Sequence, residues 1–211
     1  MYRKDGHIMK RKLFTLFISL GIALALTFVI SVADFYNQSR RIRRDVFRMH
    51  IVANSDTEVD QSLKLKVRDR ILEYGKETFS NAVNSEQAES IINDNKNEII
   101  KIARDEILKN GFDYDVNVYV GKCVFPTRTY QNSVTLPAGE YEAINVIIGE
   151  GKGHNWWCVM FPPMCLPAAE NGEELEKYLD DSELKLVKSN PKYEPKFKII
   201  EIIEKIKENC K

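Results

Sequence analysis

The sequence has few of the residues that build metal centres and cofactor sites. It contains three histidines and four cysteines among 211 residues, and no two cysteines form a CxxC pair. These counts argue against a zinc ribbon or a thioredoxin-like protein. The run GEGKG at 149–153 lacks the GxxxxGK[ST] spacing of a phosphate-binding loop. We therefore expect no metal, no cofactor and no small-molecule substrate.

The chain also lacks an excess of positive charge. It has 31 basic and 31 acidic residues, but five of the bases and one of the acids lie in residues 1–33, which leaves 26 bases against 30 acids, or about −4, for the rest. Nucleic-acid binding requires clustered Lys and Arg at the phosphates. A nucleic-acid partner is therefore not expected.

An uncharged apolar run extends from Leu13 to Ala33. About 20 apolar residues span a bilayer core of about 30 Å, and the basic residues before the run favour a cytoplasmic N-terminus. Small residues at Ser31 and Ala33 fit cleavage after Ala33, whereas the length of the run fits an uncleaved anchor. Residues 1–33 are thus predicted to be a signal peptide or a transmembrane anchor.

Residues 34–45 follow as a basic linker with four arginines. This cluster is either a solvated, flexible connection or a patch attracted to anionic lipid headgroups. An extracytoplasmic signalling domain is predicted at 46–167, and a charged C-terminal helical tail at 168–211. The apolar side of that tail is formed by Phe197, Ile199, Ile200, Ile203 and Ile206.

Hydrophobic periodicity predicts an α+β fold. Alternating residues indicate strands at 46–53, 114–120, 141–148 and 155–161, and helical spacing indicates helices at 60–80 and 85–110. The loop 149–153 is long enough to join the last two strands as a hairpin. We expect two layers, with a mostly antiparallel sheet packed against the helix pair.

Four stretches of the sequence resemble the stage II sporulation protein R family over about 45–165. They are RMHIVANSD (48–56), DQSLKLKVRD (60–69), FPTRTY (125–130) and LPAGEYEAINVIIGEGKGHNWWCVMFPPMC (136–165). The resemblance implies export from the forespore to the intermembrane space. There the protein would activate a membrane-embedded, aspartyl-type protease of the mother cell, which cleaves a sigma-factor precursor.

The candidate partner-binding residues are His50, Asn54, Asp56, Trp156 and Trp157. His50, Asn54 and Asp56 are of types used in catalysis, but they equally suit a turn with helix-capping chemistry or a binding surface. The two tryptophans point to opposite faces of a strand, so either one lies in the core while the other is a candidate interface anchor, or both rings are covered within the domain. We expect no catalytic residue.

A disulfide between Cys158 and Cys165 is a further candidate, because Phe161-Pro162-Pro163 can reverse the chain between them. A catalytic pair of His154 and Cys158 is not favoured, since residues four apart in a strand lie about 13 Å from each other.

Three functions remain open from the sequence: an activating ligand without catalytic groups, an exported cell-wall or peptide hydrolase, and a membrane-anchored structural protein. The distinctive residues are mostly aromatic, Pro and Gly, which favours recognition over chemistry.

The predicted topology can be tested by protease accessibility. In protoplasts expressing the chain, externally added protease should degrade the epitopes of 46–167 while a cytoplasmic control protein stays intact. Protection of these epitopes until the membrane is permeabilised would contradict export.

Overall fold

The computed structural model describes residues 3–78, 82–130, 134–162, 178–188 and 194–209. The chain forms two compact units, Met1–Gln38 and Ser39–Lys211. The elements in chain order are α1 (Arg3–Asp45), β1 (Phe47–Val52), α2 (Glu58–Thr78), α3 (Ser85–Asp94), α4 (Lys96–Lys109), β2 (Val116–Phe125), β3 (Arg128–Tyr130), β4 (Val134–Leu136), β5 (Gly139–Ile148), β6 (Asn155–Phe161), α5 (Asp181–Val187) and α6 (Glu194–Asn209). The fold is α+β with a mixed sheet.

Helix α1 contains the apolar run. Its segment Met9–Asp45 is long and apolar enough to cross a membrane, and a signal sequence passes the same test of length and composition. The expected linker at 34–45 is helical, and Ile42 is fully buried. Arg43 is also buried and donates to the Ala138 carbonyl at 3.0 Å. A solvated connection is therefore not observed at Ile42 and Arg43, which are packed within the second unit.

The main sheet has the strand order β2-β5-β1-β6. β1 and β5 are parallel, whereas β2–β5 and β1–β6 are antiparallel. The sheet is thus mixed, and two of its three pairings are antiparallel, in line with the mostly antiparallel sheet predicted from the sequence. The expected hairpin between the last two strands is wrong, since β1 lies between β5 and β6 and the loop 149–153 crosses over the end of β1.

One face of this sheet shares its core with three helices. Buried apolar residues from α2, α3 and α4 cluster with Met49 and Ile51 of β1 and with the corresponding face of β5. The periodicity predicted one helix over 85–110, but the chain breaks at Asn95 into α3 and α4. Asn84 caps α3, since its side chain accepts from Gln87 N at 2.8 Å.

The opposite face carries a second, two-stranded sheet of β3 and β4. The strands predicted from the sequence include neither β3 nor β4. Helix α5 contacts β4, and α6 contacts β5. In the predicted tail, Phe197 and Ile200 of α6 are buried as its apolar pattern requires, while 168–177, 189–193 and 210–211 lie outside the described residues.

Candidate functional site

The parallel pairing of β1 with β5 brings the loops after both strands to the same edge of the sheet. We call residues 53–56 and 149–154 together the loop clamp. Four backbone N–H groups of the second loop donate to the first: Gly153 N to Ala53 O at 2.9 Å, Lys152 N to Asn54 O at 3.1 Å, Glu150 N to Asn54 Oδ1 at 3.0 Å, and His154 N to Asp56. The clamp therefore links two segments almost one hundred residues apart.

Asp60 on α2 is the buried anchor of the clamp. It is 5% exposed, and its Oδ2 accepts from Ser55 Oγ at 2.5 Å and from Asn54 Nδ2 at 2.9 Å. Burial raises the pKa of the Asp60 carboxyl, but the hydrogen bonds from Ser55, Asn54 and Tyr114 together lower it by more, so its pKa lies below the ordinary value. The carboxylate is thus held charged in the folded protein.

Two glycines make the close approach of the loops possible. Gly149 has a φ of +57°, and a Cβ there would lie 2.2 Å from Asn54 Oδ1. At Gly153 a Cβ would lie 2.2 Å from the Ser55 carbonyl oxygen. Since real Cβ atoms do not approach oxygen this closely, the clamp requires glycine at both positions.

The outer side of the clamp is polar and exposed. His154 and Asp56 pair through Nδ1 and Oδ1, with 77% and 55% of their side chains exposed. The backbone N–H of His154 also donates to Asp56 Oδ1 at 2.6 Å. Beneath them, the buried Lys64 ammonium donates to the His154 carbonyl at 2.8 Å, and burial lowers the pKa of Lys64.

A second group of polar residues lies on the face of the sheet that carries the β3–β4 hairpin. His50 Nδ1 lies 3.0 Å from Asn145 Oδ1, and His50 Nε2 lies 2.8 Å from Asn155 Oδ1. The imidazole also stacks on Trp157, with 6.1 Å between ring centroids and an interplanar angle of 9°. We call these four residues the His50 cluster; the two amides and the indole fix the orientation of the ring.

Cys123 brings a thiol to the edge of the His50 cluster. Its Sγ lies 3.8 Å from His50 Nδ1. Burial raises the pKa of the Cys123 thiol, against a smaller lowering by the charge of Arg48. Activated cysteines have a lowered pKa, so this environment favours an unreactive thiol. In the described part of the chain no group of three or more His, Cys, Asp or Glu is placed to hold a metal ion.

Arg48 occupies the buried side of the same face. It is fully buried, and its guanidinium carbon lies 3.9 Å from the Phe125 centroid and 4.7 Å from that of Tyr141. One nitrogen donates to the Tyr130 hydroxyl of β3. Within the described residues, Nε and Nη1 have no hydrogen-bond partner. The faces of the aromatic rings attract the cation instead. The hydrogen bond to Tyr130 ties the β3–β4 hairpin to the sheet.

The two tryptophans lie on opposite faces of β6, as predicted. Trp156 is 37% exposed, with the Arg68 guanidinium carbon 4.5 Å from its ring. Trp157 is half-buried, and the Arg128 guanidinium carbon also lies 4.5 Å from its ring. Neither indole is fully buried in the core, and each is contacted by an arginine.

Comparison with known proteins bears on these residues. The family profile described as stage II sporulation protein R matches residues 43–171. The chain belongs to this family. Stage II sporulation protein R of Bacillus subtilis (strain 168) is 39% identical over 144 residues, which are 68% of this chain and 64% of that protein. The match thus spans less than two thirds of the relative's length. No solved structure matches the chain significantly.

Family membership assigns the chain to sporulation. The matched range includes both the loop clamp and the His50 cluster. The structure separates the predicted site residues: Asn54 and Asp56 belong to the clamp, His50 and Trp157 to the His50 cluster, and Trp156 lies on the other face of β6.

Several members of these clusters were missed by sequence reasoning. Arg48, Asn145 and Cys123 come together with His50 only through the pairing of β1, β5 and β2. Their alternation along the strands is visible in the sequence, but the strand order is not. Cys158 is 1% exposed and disulfide-bonded, and Cys123 is free. Cys165 lies outside the described residues, so its pairing with Cys158 stays a prediction.

Replacing Gly149 by Ala tests the close approach in the clamp. We expect Gly149→Ala to lower the free energy of unfolding by about 1–3 kcal/mol more than Gly111→Ala. Both glycines have positive φ, but a Cβ at Gly111 meets no atom within 4 Å. Denaturant unfolding of the full chain in detergent measures the difference. An equal loss of unfolding free energy in the two variants would mean that the clamp does not depend on the close approach of Gly149 to Asn54.

The Asp60 carboxyl predicts a pH dependence. Because its folded pKa lies below the unfolded value, near 3.8, its contribution is present above the unfolded pKa and is lost as the pH falls through the folded pKa. Asp60→Asn should therefore destabilise the protein by about 1–3 kcal/mol at pH 7. This loss should become smaller as the pH falls below the pKa of the carboxyl in the unfolded chain. The exposed Asp105→Asn is the matched control, and an unchanged difference from pH 7 to pH 3 would contradict the assignment.

Proposed function

We propose that this chain is an intercellular signal of sporulation that activates a protease by binding it. It is made in the forespore, exported to the intermembrane space and held there as a secreted or membrane-anchored domain. Its partner is a membrane-embedded, aspartyl-type protease, which then processes a sigma-factor precursor in the mother cell.

The family match carries this proposal. It begins at residue 43, in the last turn of α1, whose apolar segment could serve as a signal or an anchor. A domain placed behind such a segment is delivered outside the membrane if the segment acts in either way. Export and sporulation together favour a role between the two cells.

The exposed aromatic and polar residues support binding as the mode of action. Trp156, Trp157 and the half-buried His50 offer rings at the surface of β6 and β1. Large aromatic side chains dominate binding energy at interfaces. Asp56 is exposed on the clamp, whereas Asn54 uses its side chain within the clamp and so positions the surface.

An exported hydrolase is the alternative. The approach of Cys123 to His50, with Asn155 at the other ring nitrogen, resembles a nucleophile with a base and an orienting amide. The raised pKa of the Cys123 thiol opposes this use. We therefore favour a ligand that works without a catalytic group.

Reconstitution tests the proposal. The full chain, co-reconstituted with the candidate protease and the precursor, should be required for precursor cleavage. Trp157→Ala should weaken activation by about thirtyfold, the equivalent of about 2 kcal/mol for an interface anchor. Val83→Ala, which removes an apolar side chain that is 66% exposed just before α3, should not.

Two results would contradict the proposal. One is precursor cleavage that proceeds equally without the chain. The other is turnover of peptide or peptidoglycan by the purified chain that is lost in Cys123→Ser, which would favour the hydrolase.

A further inference from the structure

A groove beside β6 combines positive charge with both tryptophans of the chain. Residues of α2, α4, β3 and β6 line it, among them six basic and three acidic side chains. The surrounding domain is acidic, with 30 acids against 26 bases after residue 33. The local excess of cations is therefore opposite in sign to the charge of the domain.

The acidic side chains of the groove are largely neutralised by their neighbours. Asp69 accepts from Arg68 at 2.7 Å, and Glu73 accepts from Arg70 at 2.6 Å. Arg128 is exposed, and no carboxylate of the described residues lies within ion-pair distance of it. The net potential of the groove is thus positive and is not cancelled within the fold.

Of the two arginines that contact the indoles, Arg128 is open to receive a carboxylate, whereas Arg68 is already paired with Asp69. Arg68 lies over Trp156 on one face of β6, and Arg128 lies over Trp157 on the other. A guanidinium stacked on a ring keeps its N–H groups at its edge, where a carboxylate can accept two hydrogen bonds. Each Arg–Trp pair therefore offers an apolar surface beside a cationic donor.

We propose that this groove binds an acidic, extended segment of the partner protein. A carboxylate of the segment pairs with Arg128, and a second one shares Arg68 with Asp69. The aliphatic carbons of the segment pack on Trp156 and Trp157. This inference rests on the proposed function for the identity of the partner. A polypeptide fits better than a lipid surface, because the donors lie on both sides of a strand rather than on one plane.

Tryptophan fluorescence provides a direct readout, since the two tryptophans of the chain both line the groove. The probe is a capped eight-residue peptide of alternating Glu and Thr, titrated into the full chain in detergent. A peptide of alternating Lys and Thr is the charge control. We expect the acidic peptide alone to shift the emission, with an affinity that falls as salt rises.

Charge reversal locates the contact. Arg128→Glu and Arg68→Glu should each weaken binding of the acidic peptide by about tenfold or more, as for close charge pairs at interfaces. Lys122→Glu makes the same charge change at β2, the opposite edge of the sheet, where the side chain is 65% exposed. This control should change the affinity less than about twofold. Circular dichroism of each variant verifies folding.

Three outcomes would overturn the inference. They are no emission shift with the acidic peptide, an equal loss in Lys122→Glu, and a shift caused by anionic vesicles but not by the peptide. The activation assay separates this inference from the proposed function. Normal activation by Arg128→Glu and Arg68→Glu would reject the groove alone, whereas absent activation with intact peptide binding would reject the proposed function alone.

Discussion

The parallel pairing of β1 with β5 is the constraint on which the rest of the structure depends. It sets His50 opposite Asn145 and carries the loops after both strands to one edge of the sheet. An antiparallel pairing would separate these loops by the length of a strand. The loop clamp and the orientation of the His50 ring therefore follow from one choice of strand direction.

Within the clamp, polar residues divide between inward and outward roles. Asn54, Ser55 and Asp60 satisfy one another, and they stabilise the connection between β1 and α2. Asp56 and His154 pair at the surface and remain accessible. The hydrogen bonds of this network to the buried Asp60 make it rigid. It therefore fixes the position of the exposed Asp56–His154 pair and of the first residues of β6.

Local patterns were sufficient where an element depends on its own periodicity. Leu63, Val67 and Ile71 lie in the core as the spacing of α2 requires, and the alternation of β1 correctly separates Met49 from His50. The three-residue strands β3 and β4 are too short for a periodic signal. The break at Asn95 was hidden because Ile92 and Ile99 continue the same apolar stripe across it.

The sequence by itself determined the apolar N-terminal segment, the family and the faces of the main strands, because these depend on neighbouring residues and on motifs. Only the tertiary structure decided which distant residues meet. The burial of Arg48 against Phe125, the thiol of Cys123 beside His50, and the arginines over both tryptophans all require strand order and the position of the hairpin. Strand order is a long-range property, since it is set by packing between segments that are far apart in the chain.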